Sequence, residues 1–495
     1  MKSNIVQSVS KNLAVLSIQK IITLSSTFLI LLFLPRYLGP VDYGRYYLGL
    51  TIVTMFSLLV DFGAQSSIVK VVSRSRGNVG HIISDSIGIR VILWAIAYIL
   101  SILFSILAGY HHTQIIIIVI LGIAMIPASI RSVLAYCYQG LEMMEYPTYG
   151  TISEVSFITI VGISALLLGV GPIGFAIITA LSWSVNCLVC IKFANRLTLS
   201  LPPVNWKSAF TMLREGVPYF LHAIFGIIYY RIDSVMLSLM TPERVIGWYG
   251  ASYRFFDSFL FVPSIFMTAL FPALSRAWIQ ENESMARRFQ RSLDFLFIVG
   301  VPISIGAFAF SGELINFFYG AKNYGPSILM MKIFSVGLML LYIDWPLSTM
   351  LLASDKQRKL VKIIFAMIFV NIALNYCMIP YTQTKFGNGG IGSAIATLIT
   401  EFLVMVIMIL AIDKSVFSNA KILIQIKTIG EGLLMGCSIW GLAQANMGWI
   451  VQAILGSSVY LFSAYYLGAI QKLDIQLIKE IIPRRFVQRK STQDQ

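Results

Sequence analysis

Long apolar runs alternate with short polar breaks along the whole chain, and each run is close to the roughly 20 residues that an α-helix needs to cross a bilayer. The spacing predicts about fourteen spans, at 12–34, 46–69, 82–108, 114–137, 149–168, 173–194, 216–239, 246–274, 293–311, 327–353, 361–381, 390–411, 428–445 and 449–470. The opening stretch lacks a short apolar region with a small-residue cleavage site, so it reads as an uncleaved first span. No intervening loop is long enough to be a domain, which places function among the spans. The expected fold is an all-α polytopic membrane protein.

Composition agrees. The 495 residues are 57% hydrophobic and 12% charged, with a mean hydropathy of +0.79, whereas soluble domains carry about 25% charged residues. The net charge of +15 is a matter of topology. Most loop lysines and arginines fall on one side, from Lys2 and Lys11 through Arg74, Arg76, Arg287, Arg288, Lys356 and Lys359 to a basic tail over 472–490. The opposite loops hold only Arg36, Arg45, Arg244, Lys322 and Lys385, so both termini are expected in the cytoplasm. The turn with Glu142 and Glu145 dissents without overturning the bias. No basic-aromatic motif of a nucleic-acid binder is present. Cys137, Cys187, Cys190, Cys377 and Cys437 all lie in apolar stretches, and the "CLVC" pair reads as buried, inert thiols. His111 and His112 read as interfacial residues, and no metal site is expected.

The chain repeats itself. "GVGPIGFAIITAL" (169–181) matches "GNGGIGSAIATLI" (387–399), and "GPVDYGRYYLG" (39–49) is echoed by "TPERVIGWYGAS" (241–252), with Gly44 matching Gly247 and Tyr46 matching Tyr249. Two pseudo-symmetric six-helix lobes follow, 1–197 with spans 1–6 and 198–412 with spans 7–12, and then 413–495 with spans 13–14 and the basic tail. Repeated lobes are the architecture of alternating-access transporters. In this reading 35–49 is the outward hairpin between spans 1 and 2. Pro40 and the glycines stop one helix and turn it into the next, and Tyr43, Tyr46 and Tyr47 suit the interface belt.

"PRYLGPVDYGRYYLG" followed by "VDFGAQSSIVKVVSRSRG" resembles the N-terminal signature of polysaccharide-biosynthesis flippases, the Wzx-like branch of the MOP (MATE-like) exporters. The stretches 217–276, 314–341 and 371–401 are similar to later family segments, in family order and over nearly the whole chain. The resemblance implies a MATE- or lipid II flippase-like fold and no enzyme activity. The implied function is to move a polyprenyl (undecaprenyl)-pyrophosphate-linked repeat unit of O-antigen or a related glycan. The movement runs from the cytoplasmic to the outer leaflet of a bacterial inner membrane, by alternating access. It implies coupling to a proton or sodium ion and no other cofactor. Implied partners are the lipid-linked oligosaccharide, membrane lipid, and the glycan polymerase and chain-length regulator of the same pathway, with no nucleic acid. A MATE-type drug exporter shares the fold, but would want an acidic or aromatic cavity. An O-antigen polymerase would show a large outer loop with arginines, and the outer loops here are short.

Ionisable side chains in hydrocarbon cost roughly 2.5–3.5 kcal/mol each at a helix centre, so they point to function or to a buried pair. The spans carry Lys20, Asp61, Asp85, Arg90, Arg131, Glu154, Arg231, Asp233, Arg254, Asp257, Lys332, Asp344 and Glu401. For the implied substrate, the cationic partners are Lys20, Arg90, Arg231, Arg254 and Lys332. Lys20 and Arg254 resemble basic cavity positions of lipid II flippases on spans 1 and 8. Further arginines of those relatives, late in span 1 and in span 2, are apolar or small residues here. Asp61, Asp257, Asp344 and Glu401 are the coupling-ion candidates. The alternative for each charge is a structural ion pair: Asp85 with Arg90, Arg231 with Asp233, Arg254 with Asp257 at i, i+3, and Arg131 with Glu154.

Overall fold

A computed structural model describes residues 2–74, 79–197, 201–279, 283–417 and 423–469; Arg76 and the basic tail lie outside the described residues. The described residues form helices and turns: α1 (Lys2–Asp61), α2 (Ala64–Arg74), α3 (Val79–Leu107), α4 (His112–Gly140), α5 (Glu145–Leu167), α6 (Pro172–Lys192), α7 (Trp206–Met240), α8 (Glu243–Phe259), α9 (Phe261–Ile279), α10 (Glu283–Ala309), α11 (Ser311–Tyr319), α12 (Ala321–Tyr324), α13 (Ser327–Ala353), α14 (Gln357–Phe386), α15 (Gly389–Ala411), α16 (Lys414–Phe417), α17 (Leu423–Gln444) and α18 (Trp449–Tyr466). Ten helices among the described residues are long and apolar enough to cross a membrane. The number is eleven when Glu243–Thr268 and Leu270–Trp278, bent by 42°, count as one broken span.

One of the ten, Ile18–Asp61, has 44 residues. At 1.5 Å per residue it is about twice as long as the hydrocarbon core is thick. Side-chain contacts resolve it into two antiparallel spans. Thr148 and Val155 of α5 meet Gln19 and Ser26 in turn, so the first half of α1 runs along α5. Gly49 and Asp61 meet Ile117 and Tyr136 of α4 in turn, so the second half runs along α4. Helices α4 and α5 are themselves antiparallel, since Tyr138 packs on Tyr146 and Arg131 reaches Glu154. The chain therefore reverses within α1. The break falls at Gly39 (φ 72°, ψ 170°), flanked by Pro35 and Pro40. The hairpin expected over 35–49 is thus compressed to a single non-helical glycine, and Pro40 already starts the second span, where a missing N–H costs nothing. Counting α1 as two spans and the bent pair as one gives twelve; α17 and α18, helices of 22 and 18 residues outside that set, would bring the total to the fourteen that the sequence spacing predicts.

The Cα framework divides into two compact units. The first comprises Met1–Arg254, Ile315–Ser327 and Ile364–Ala396. Within it α4, α5 and α6 pack on one another and on α1, and α7 packs on α1, α2 and α3. Its core includes Ile68, Val72, Ile83, Val133, Leu134, Cys137, Tyr138 and Cys190. Cys137, Cys187 and Cys190 are buried as expected, while Cys377 and Cys437 are exposed. His111 caps α4 by accepting the Thr113 N–H at 3.2 Å. In the second unit, α10 packs on α17 and α18 around Val301, Phe310, Met435, Ile439 and Tyr460. Asp294 accepts from Gln290 at 2.8 Å and from Gln425 at 2.6 Å, and Lys356 pairs with Asp413 at 2.6 Å.

The two echoed stretches touch in the first unit. A Cβ on Gly247 would overlap the Pro40 carbonyl oxygen, and one on Gly44 would overlap the Glu243 carbonyl oxygen. Two helices approach so closely only where both lack side chains. Arg45 seals the crossing, bonding Glu243 at 2.8 Å and Asp42 at 3.0 Å. Tyr324 donates to the Pro35 carbonyl at 2.8 Å beside it. Overpacking of this kind costs roughly 1–3 kcal/mol. Gly247→Ala should therefore lower the thermal unfolding midpoint of the detergent-purified protein by a few degrees. Gly171→Ala, at an ordinary φ of −78° with nothing within 4 Å, should leave it unchanged. Equal midpoints for the two variants would refute the tight crossing.

Candidate functional site

Thr54, Ser57 and Asp61 recur at i, i+3 and i+7 on α1, and Ser129, Ser132 and Tyr136 do so on α4. That spacing puts each set on one helix face. The two stripes border a cavity of about 400 Å³ lined by Ser57, Asp61, Arg90, Arg131, Tyr136 and Trp183, among others. The volume lies in the range of small-ligand pockets, roughly 300–1,000 Å³. The hydroxyls of Thr54, Ser57 and Ser132 donate back to their own helix at 2.7–2.8 Å. Their lone pairs remain available as acceptors.

Two ion pairs hold the cavity wall. The Arg90 guanidinium donates to Asp61 at 2.6 Å, to the Ser129 carbonyl at 3.0 Å and to the Ser132 hydroxyl. The Tyr136 hydroxyl donates to the same Asp61 oxygen at 3.0 Å, and its ring lies 5.6 Å from the guanidinium carbon. The Arg90 side chain is only 3% exposed and that of Asp61 is 30% exposed. Arg131 meets Glu154 at 3.4 Å, and Asn186 also donates to Glu154. The Nε–H groups of Arg90 and Arg131 are buried and make no hydrogen bond.

These contacts revise one expected pair. Arg90 pairs with Asp61, while Asp85 accepts the Asn205 backbone N–H at 2.7 Å. Five residues along a helix turn a side chain to a different face, so Asp85 and Arg90 diverge. The Arg131–Glu154 bridge forms as the sequence suggests.

The tyrosines of the opening stretch also depart from expectation. Tyr43, Tyr46 and Tyr47 are buried, at 1%, 3% and 5% exposure, and do not form an interface belt. Their hydroxyls have protein to meet: Tyr46 bonds Thr179 at 3.0 Å, and Tyr47 bonds Ser234 at 3.3 Å and accepts from Arg231 at 3.4 Å. Arg231 also lies over the rings of Tyr230 and Tyr253, at 5.4 and 5.6 Å. Arg254 is half-buried, within electrostatic reach of the hydroxyls of Tyr43, Tyr46 and Tyr319. Asp233 is buried and accepts from Asn375 at 2.7 Å and from Tyr249 at 3.3 Å. Lys20 is exposed on α1.

The remaining candidates belong to the second unit. Asp344 on α13 and Glu401 on α15 are buried and in side-chain contact. Lys332 lies 5.6 Å from the Phe308 ring centroid. Asp257 is half-buried on α8.

Tyr136, Trp183 and the serines of the cavity go unnoticed when only charges are scanned. The matched spacing of the two polar stripes, inside otherwise apolar spans, is the signal that marks them.

The comparisons with known proteins agree with this architecture. A family model described as polysaccharide biosynthesis protein matches residues 9–278, and one described as lipid II flippase MurJ matches residues 249–460. The Probable flippase AglR of Haloferax volcanii is 24% identical over 188 residues, or 37% of this chain. The match spans 38% of that relative's length. A lipid II flippase MurJ structure in an inward closed conformation superposes with a TM-score of 0.75 at 17% identity, covering 92% of this chain and 98% of that one. An inward-facing multidrug resistance MATE family transporter of the MOP superfamily gives 0.66 at 14% identity, covering 81% and 96%. At these identities the structures establish the fold.

Removing one partner of a buried ion pair costs roughly 3–5 kcal/mol. Arg90→Ala should therefore depress the unfolding midpoint strongly. Asp85→Asn, which keeps an acceptor oxygen for the Asn205 N–H, should change it little. A larger loss for Asp85→Asn, read by the same melting curve, would contradict the partner assigned to Arg90.

Proposed function

Since the chain belongs to the polysaccharide biosynthesis protein family, within the MOP exporters, we propose that it flips a polyprenyl-pyrophosphate-linked oligosaccharide between leaflets by alternating access. It is a multi-pass membrane transporter of the flippase class. The observation that carries the finer reading is the arginine- and tryptophan-lined polar cavity among apolar helices. Serine and threonine oxygens match sugar hydroxyls, and the Trp183 ring offers a platform for a sugar face. Guanidinium forks suit a pyrophosphate. Arg231 and Arg254, set among buried tyrosines, supply further cations.

The basic bias of the loops supports cytoplasmic termini and export from the cytoplasmic leaflet of the plasma membrane. Asp344 and Glu401 support cation coupling. Two buried carboxylates in contact repel each other, and a shared proton or sodium ion relieves the repulsion.

Deleting the gene should abolish surface glycan while lipid-linked repeat units accumulate inside, as read by glycan staining and lipid extraction. Complementation by Arg254→Ala should fail at normal protein abundance, whereas Arg254→Lys should restore part of the export, because the charge remains without the fork. Drug sensitivity with an intact glycan would replace this reading with a MATE-type one, and single repeat units on the surface would point to a polymerase.

A further inference from the structure

Asp61 ends α1, and the next two residues turn the chain into α2. Both are left-handed: Phe62 has φ 45° and Gly63 has φ 69°. Glycine adopts this conformation freely, but an aromatic residue is strained there. Phe62 is held in place by three contacts. Its N–H donates to the Leu58 carbonyl at 2.9 Å. Its ring stacks on Phe220 of α7, with centroids 4.2 Å apart and planes within 9°. Its carbonyl oxygen presses on Gly216, where a Cβ would come within 2.5 Å. Gly63 is equally tight, since a Cβ there would meet Tyr219 and the Gly216 carbonyl at 2.7–2.8 Å. The turn is thus clipped to α7 at the cost of backbone strain.

The residue before this turn is the one that reaches the cavity. The Asp61 carboxylate faces the 400 Å³ space while it occupies the Arg90 guanidinium at 2.6 Å and takes the Tyr136 hydroxyl at 3.0 Å. The other terminal nitrogen of Arg90 is committed to Ser129 and Ser132. A carboxylate of the chain itself therefore stands where an entering anion would bind.

We propose that Asp61 is a displaceable internal anion and that its displacement releases α7. An acidic group of the cargo takes the Arg90 fork, Asp61 loses its anchor, and the strained Phe62–Gly63 turn relaxes and leaves Phe220 and Gly216. Cavity occupancy is then coupled to the attachment of α7, the first helix after the segment that follows α6. The inference rests on the transport reading above, with the pyrophosphate as the acidic group. Asp61 acts as a positioning residue and not as a ligand of the cargo.

Hydrogen–deuterium exchange of the full-length protein in nanodiscs tests this, with geranylgeranyl pyrophosphate as the probe and geranylgeraniol as the uncharged control. Binding of each is measured separately with tritiated ligand. The pyrophosphate should bind and accelerate exchange over 62–66 and 216–222 by about tenfold, with the core around Ile83 and Leu134 unchanged; the alcohol should do neither. Asp61→Asn should show the accelerated exchange without any probe and no further response to it. Binding without acceleration at the turn would overturn the latch and leave the transport reading standing. No binding would remove the anionic cargo, and the latch with it. An Asp61→Asn variant that exchanges like wild type, or one that exchanges faster throughout the unit, would reduce Asp61 to a structural partner. If that variant fails to fold, the wild-type arm with the two probes still decides.

Discussion

The ion pair between Arg90 and Asp61 is the contact on which the first unit depends. A charge inside an apolar bundle is tolerated only when it is matched. Here the match joins the end of α1 to α3, and the Tyr136 hydroxyl brings in α4. The pair also shapes the cavity, since both residues line it. Arg131 and Glu154 repeat the solution between α4 and α5. The wall therefore carries polar groups among apolar ones, with its charges largely paired. Under the proposed function, this surface would meet the hydroxyls and phosphates of the head group.

A second constraint acts at the kink of α1. The Gly44–Gly247 approach brings backbone against backbone, and the Arg45–Glu243 pair closes it. Behind it the tyrosines of the same stretch turn inward and place their hydroxyls near Arg231 and Arg254. A short glycine-rich interruption thereby does two jobs: it reverses the chain, and it carries aromatic donors toward the cations of α7 and α8.

Much of this was legible in the sequence. Apolar run length gave the crossings, because a bilayer sets helix length directly. The internal echo paired Gly44 with Gly247, and the structure brings those glycines together. Asp61, Arg90, Asp344 and Glu401 stood out as charges in hydrocarbon, and two pairs of them meet. The partner of Arg90 was not legible, since sequence proximity favoured Asp85 while packing of α1 against α3 selects Asp61. Tyr43, Tyr46 and Tyr47 looked interfacial because their depth depends on where the chain reverses, and a single φ at Gly39 decides that. The serine stripes were readable as spacing but carried no charge to draw attention. The contacts of Asp233 with Asn375 and Tyr249 come from distant parts of the chain, which sequence spacing does not show.

The most direct test of the cavity as the path of the head group is transbilayer movement in liposomes holding the purified protein. A fluorescent short-chain prenyl-pyrophosphate-linked saccharide is followed by quencher accessibility. Wild-type protein should move it between leaflets, and Arg131→Ala and Trp183→Ala should each slow the movement about tenfold, the size of a loss near 1.4 kcal/mol. Trp440→Ala, at a side chain 68% exposed on α17, should have no effect. Movement no faster than in protein-free liposomes, or equal rates for wild type and both cavity variants, would contradict the assignment.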